Sequence, residues 1–142
     1  MTRRIFLVVY WDSSAVLSAL FKDTHSEEAQ EWAQKDGVHL LSTLAYSEVC
    51  AVIMRLKKER HIADVLAEAA FEALEAGPWR HLNLGPEWSQ IKAMSRRLAL
   101  RGADLWHLAL AKTTQDQLPE LMLLTFDRKL RSAAKGVISF GP

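Results

Sequence analysis

An α/β fold with a mainly parallel sheet is the class this sequence predicts, and two patterns predict it. Short apolar runs alternate with longer stretches of helical periodicity along the chain. Two of the runs, Phe6-Leu7-Val8-Val9 and Leu121-Met122-Leu123-Leu124, are unbroken, as strands covered on both faces are. With 142 residues, 49% of them hydrophobic, the chain reads as one domain, residues 1–142, with enough apolar material for a core.

The first strand is the run from Ile5 to Trp11, β-branched and aromatic-rich, and it ends at Asp12. A helix comes next, from Ser13 to about Phe21. Thr24, with Glu27 three residues on, predicts a capping box for a second helix that continues through Trp32 to about Gln34. Lys35-Asp36-Gly37 is a turn and Val38-His39-Leu40-Leu41 a short strand. Ser42 or Thr43 can cap a long helix reaching about Arg60, with Ala45, Val49, Val52 and Leu56 as its apolar stripe. Cations at Arg55, Lys57, Lys58 and Arg60 suit its negative end.

An alanine-rich helix from about Ile62 to Ala76 stops at Gly77-Pro78, and Trp79 to Leu84 alternates as a strand does. Pro86 in a first turn opens a helix with Trp88, Ile91, Met94, Ser95 and Leu98 on one face. Gly102 reads as its stop. Ala103 to Ala111 is helical again, Leu121 to Thr125 is a strand, and Arg128 to Ala134 is a short helix. Gly136 ends that helix before a last strand, Val137 to Phe140.

Composition excludes some classes and leaves others open. Eighteen basic against seventeen acidic residues give a net charge of +1, which neither marks a nucleic-acid binder nor forbids a local basic face. The lone Cys50 forms no internal disulfide and fits a reducing, cytoplasmic setting. No segment approaches the roughly 18 apolar residues of a membrane span.

Four acids stand apart from the rest. Asp12 and Asp127 come after strands, where the ligands of open α/β sheets gather. Glu48 and Asp104 interrupt apolar helical faces near helix starts, where an uncompensated acid is costly. Neighbouring strands would bring Asp12 and Asp127 together, and the two helices can lean their acids into the same crevice. Four carboxylates in one place need protons or cations to neutralise them, and hard oxygen donors select Mg²⁺ or Mn²⁺. Hydroxyls at Ser13 and Thr125 can support such a site. Taken singly, Asp12, Asp104 and Asp127 are also ordinary helix caps, and Glu48 can pair with an arginine.

The residues also match a known family. Asp12-Ser13-Ser14-Ala15, Ser47-Glu48, Ala103-Asp104-Leu105-Trp106-His107-Leu108-Ala109 and Thr125-Phe126-Asp127-Arg128-Lys129-Leu130 together resemble a PIN domain, in order over nearly the whole chain. The resemblance is greatest to single-domain VapC-type toxins of toxin–antitoxin pairs. It implies a PIN-like three-layer α/β/α sandwich around a central, mainly parallel sheet of four to five strands. It implies an Mg²⁺- or Mn²⁺-dependent ribonuclease, a hydrolase of RNA phosphodiesters, with Asp12, Glu48, Asp104 and Asp127 as its catalytic and metal-binding residues. Homodimers and a cognate antitoxin protein are implied as well, with no membrane partner. The run Arg96, Arg97, Arg101 matches no fixed pattern of the family.

Arg128 and Lys129 are candidate contacts to an RNA backbone, although solvated helix ends explain them too. His107, three residues after Asp104, reads as a packing or hydrogen-bonding residue. Trp11, Trp32, Trp79, Trp88 and Trp106 read as core or dimer contacts more than as base-stacking platforms. The alternative to a nuclease is a catalytically silent PIN-like module that binds RNA or protein. A phosphatase using Asp12 as nucleophile is disfavoured because Ser14 stands where a second Asp is needed, and a receiver because Trp11-Asp12-Ser13 lacks paired acids after the first strand.

Overall fold

The structure is a computed structural model that describes residues 7–138. Its elements are β1 Val8–Trp11, α1 Ser13–Leu20, α2 Ser26–Ala33, β2 Val38–Ser42, α3 Thr43–Lys58 and α4 Asp64–Ala76. They continue as β3 Trp79–Leu82, α5 Trp88–Arg97, α6 Gly102–Gln117, β4 Leu121–Leu124 and α7 Arg128–Ala134. The four strands form one sheet in the order β3-β2-β1-β4, with every neighbouring pair parallel.

Alternation along the strands sends side chains to two cores. Val9, Trp11 and Leu41 pack with α1 to α4, through residues such as Ala15, Val49 and Leu74. Val8, Tyr10, Leu121 and Leu123 pack on the other face against Met94 of α5, Leu108 of α6 and Leu130 of α7. The α/β/α sandwich results from this division, and burial of each large apolar side chain contributes about 1.5–3 kcal/mol.

The same division fixes where a crevice opens. The connections from β1 through β2 to β3 cover one face, and those from β3 to β4 and onward cover the other. β1 and β4 are therefore the neighbours whose next helices leave to opposite sides. In open parallel sheets such a reversal leaves a crevice beyond the carboxyl ends of the two strands.

Several expected details are corrected. The capping box of Thr24 and Glu27 is not formed: α2 starts at Ser26, with His25 as an N-cap that makes no side-chain bond. Asp23 captures the local donors instead. Its carboxylate accepts from the His25 N–H, and its own N–H donates to the Ser26 hydroxyl. Pro86 lies outside α5, whose N-cap is Glu87. Trp88 is 90% exposed, so the inner face of α5 is carried by Met94 with Ile91 and Leu98 beside it.

Gly102 does not stop a helix. α5 has already ended at Arg97, and Gly102, whose φ is not positive, is the first residue of α6. The buried stripe of α3 is Ala45, Val49 and Ile53 rather than a continuation through Val52 and Leu56. β1 begins at Val8; Ile5 and Phe6 lie outside the described residues. The expected last strand is not formed at Val137 and Ile138, which sit in a turn and bend after α7, while Ser139 and Phe140 lie outside the described residues. No helix among the described residues is long and apolar enough to cross a membrane.

Candidate active site

All four singled-out acids lie at the carboxyl edge of the sheet, because the elements that bear them begin or end there. Strand pairing sets Trp11 beside Leu124, so Asp12 and Thr125 leave β1 and β4 side by side. The Asp12 N–H donates to the Leu124 carbonyl at 3.2 Å and extends the pairing by one residue. α3 starts where β2 ends, and α6 runs back towards the start of β4. The first turns of both helices therefore reach the same edge.

Asp12 is 4% exposed and is the most heavily bonded of the four. It caps α1, with Oδ1 accepting from the Ala15 N–H at 2.9 Å and from the Ser14 hydroxyl at 2.7 Å. Its Oδ2 accepts a short hydrogen bond from the Thr125 hydroxyl. Burial pushes its carboxyl above the usual range, against the pull of Thr125, Ala15 and Ser14. Asp127 caps α7 through the Leu130 N–H at 2.9 Å, and its own N–H donates to Thr125 Oγ1 at 3.0 Å. Thr125 thus ties Asp12 to Asp127, as its position after β4 suggests.

Asp104 lies in the first turn of α6 and is half-buried. Burial, then the charges of Asp127 and Glu48, hold its carboxyl above the usual range; His107 and Arg101 oppose that. Its charge therefore responds to two of the other acids. Glu48 is engaged differently, since its Oε1 lies 2.6 Å from His107 Nε2. His107 is buried, and its Nδ1 lies 2.8 Å from the Tyr10 hydroxyl.

The donors are hard oxygens whose like charges oppose each other, which fits a divalent cation in kind. As the side chains stand, no three His, Cys, Asp or Glu residues among those described form a group that could hold a metal ion. Glu48 Oε1 is bonded to His107, and both Asp12 oxygens accept from hydroxyls.

The serine that supports Asp12 differs from the expected one. The hydroxyl on Asp12 is that of Ser14, not Ser13, and it also accepts from the Phe126 N–H at 3.0 Å. Spacing carries the signal: a serine two residues after an Asp cap can fold back on its carboxylate, whereas the next residue points away. The Tyr10–His107 bond is not foreseen from the sequence either, although Tyr10 and Asp12 have the same strand parity. Arg128 and Lys129 are exposed at the start of α7. They line an open cavity of about 550 Å³ with Arg97, Leu100 and Ser132.

A PIN domain family model matches residues 9–136. The chain therefore belongs to the PIN domain family. Ribonuclease VapC45 of Mycobacterium tuberculosis (strain CDC 1551 / Oshkosh) is 34% identical over 133 residues, covering 89% of each chain, which places this chain with the VapC-type members. Among solved structures, VapBC2 from Rickettsia felis, bound to a DNA fragment from their promoter, aligns with a TM-score of 0.64. The identity there is 10%, over 95% of this chain and 98% of that one. VapC20 of Mycobacterium tuberculosis, a sarcin-ricin loop cleaving toxin, aligns with a TM-score of 0.62 at 15% identity, over 94% of this chain and 99% of that one. At these identities the two structures share the fold.

Proposed function

We propose that this chain is an Mg²⁺- or Mn²⁺-dependent endoribonuclease and the toxin of a toxin–antitoxin pair, with Asp12, Glu48, Asp104 and Asp127 as its working acids. One observation supports the reading: the elements that bear the four acids begin or end at one edge of the sheet, where Thr125 donates to Asp12 Oδ2 and accepts from the Asp127 N–H. The name of the 34% identical relative supports ribonuclease chemistry. The complex solved for VapBC2 supports a protein antitoxin.

Asp12, Glu48, Asp104 and Asp127 would hold the ion. A bound divalent ion supplies positive charge that offsets the acids and the charge developing on the phosphodiester. Thr125 and Ser14 hold the two Asp12 oxygens in fixed directions. The cap bond to Leu130 orients Asp127. Arg128 and Lys129 hold the RNA backbone as exposed cations beside the crevice. A homodimer in the cytoplasm, where an RNA substrate and the free Cys50 thiol are both at home, completes the reading.

A structured RNA incubated with Mg²⁺ or Mn²⁺, and in parallel with EDTA, tests it. Cleavage is expected only with the metal. Asp12→Asn should lower it by at least about 100-fold, beyond the usual loss when only an outer support of a metal site is removed. Folded wild-type protein that binds RNA but never cuts it would favour the silent binding module.

A further inference from the structure

We propose that His107 is the positioning residue that aims Glu48 at the crevice and locks α6, which bears Asp104, to β1, which leads into Asp12. The proposal rests on the nuclease reading above.

The geometry is a three-member chain. The buried Tyr10 hydroxyl lies 2.8 Å from His107 Nδ1, and His107 Nε2 lies 2.6 Å from Glu48 Oε1. Tyr10 is fully buried. A phenol that donates to Nδ1 leaves a neutral ring with its hydrogen on Nε2, facing the carboxylate. A donor to a carboxylate makes a strong, directional bond. Glu48 is about one-third exposed, so without that bond its side chain is free to swing into solvent.

The chain also crosses the molecule. Tyr10 and His107 belong to the layer that packs α5 to α7, whereas α3 packs in the opposite layer. The His107–Glu48 bond therefore joins the two helical layers at the edge where the acids collect. Tyr10 is two residues from Asp12, and His107 is three from Asp104. One imidazole thus bonds across three elements that carry or lead into the acids. Histidines that orient metal ligands in this way are worth about 10–100-fold in metal affinity.

Nitrogen NMR of labelled native protein, with the ring neutral, gives the tautomer, and calorimetry gives Mn²⁺ affinity. The expected tautomer is Nε2–H. His107→Leu should weaken Mn²⁺ binding by about 10–100-fold while the chain stays folded. His107→Gln, whose amide still reaches Glu48 as a donor, should restore most of the loss. Tyr10→Phe, which removes only a hydroxyl, should weaken binding in the same direction and remains informative if His107→Leu fails to fold. An Nδ1–H tautomer, or Mn²⁺ binding unchanged in both His107→Leu and Tyr10→Phe, would overturn the proposal. Should the native chain neither bind Mn²⁺ nor cut RNA, the nuclease reading fails, and the tautomer alone then decides whether the relay exists.

Discussion

Asp104 is the residue whose charge tells most about the site. Burial and the nearby Asp127 and Glu48 raise its carboxyl in the folded chain. A raised carboxyl means that the fold prefers the protonated form. Its favourable contribution is whole below the unfolded value of about 3.9 and is lost as pH rises through the higher folded value. At neutral pH the metal-free chain is then destabilised by this charge. Asp104→Asn should melt at a higher temperature than the native chain at pH 7 without divalent ions. The gap should close below about pH 3.5, where both side chains are neutral. Thermal melts across that range check it; a variant no more stable at pH 7 would separate Asp104 from the acid cluster. Asp12→Asn should show no such gain, because an amide cannot accept from Thr125 and Ser14 together. The legibility of single residues has a matching physical basis. Asp12, Asp127 and Thr125 stand out in the sequence because apolar runs mark the strand ends, and a residue just past a parallel strand is held at one edge of the sheet. Ser13 and Ser14 differ only in direction, so the sequence alone does not tell which hydroxyl meets Asp12. Tyr10 and His107 are 97 positions apart, and no local pattern announces that they will meet.

Among the elements, the turn into β2 is a tight joint against the sheet. A Cβ on Gly37 would sit 2.6 Å from the Leu7 carbonyl oxygen and 2.8 Å from the Leu7 Cβ, so the turn passes against the chain entering β1. The Val38 N–H donates to that same carbonyl at 2.8 Å. Gly37→Ala should therefore destabilise the chain by about 1–3 kcal/mol, as local backbone strain does. Denaturant unfolding measures it. A loss near zero would mean that the turn relaxes at no cost. Element types are legible wherever a periodic pattern runs long, as in α3 and α6, or an apolar run is unbroken, as in β4. Boundaries are less so. Gly102 reads as a stop because glycine often ends helices, yet a glycine without positive φ starts one as readily. Spacing alone turns Trp88 inward, but a residue in a first turn reaches the core only if the fold covers that turn, and here it is 90% exposed.

For the molecule as a whole, topology decides where chemistry can happen. The alternation of strands and helices foretells parallel pairing, and parallel pairing puts every strand exit at one edge. The order β3-β2-β1-β4 is not legible in the sequence, because strand order depends on which faces the connecting helices cover. That order makes β1 and β4 neighbours, which brings Asp12 to Thr125 and Asp127. The side chains as they stand do not close around an ion, so the central claim is that a divalent ion draws the acids into a common shell. The most direct measurement is anomalous scattering from a crystal of the native chain grown with Mn²⁺. A peak bounded by Asp12, Glu48, Asp104 and Asp127 is the predicted result. A crevice with no peak at saturating Mn²⁺, or a peak only elsewhere on the surface, would contradict it.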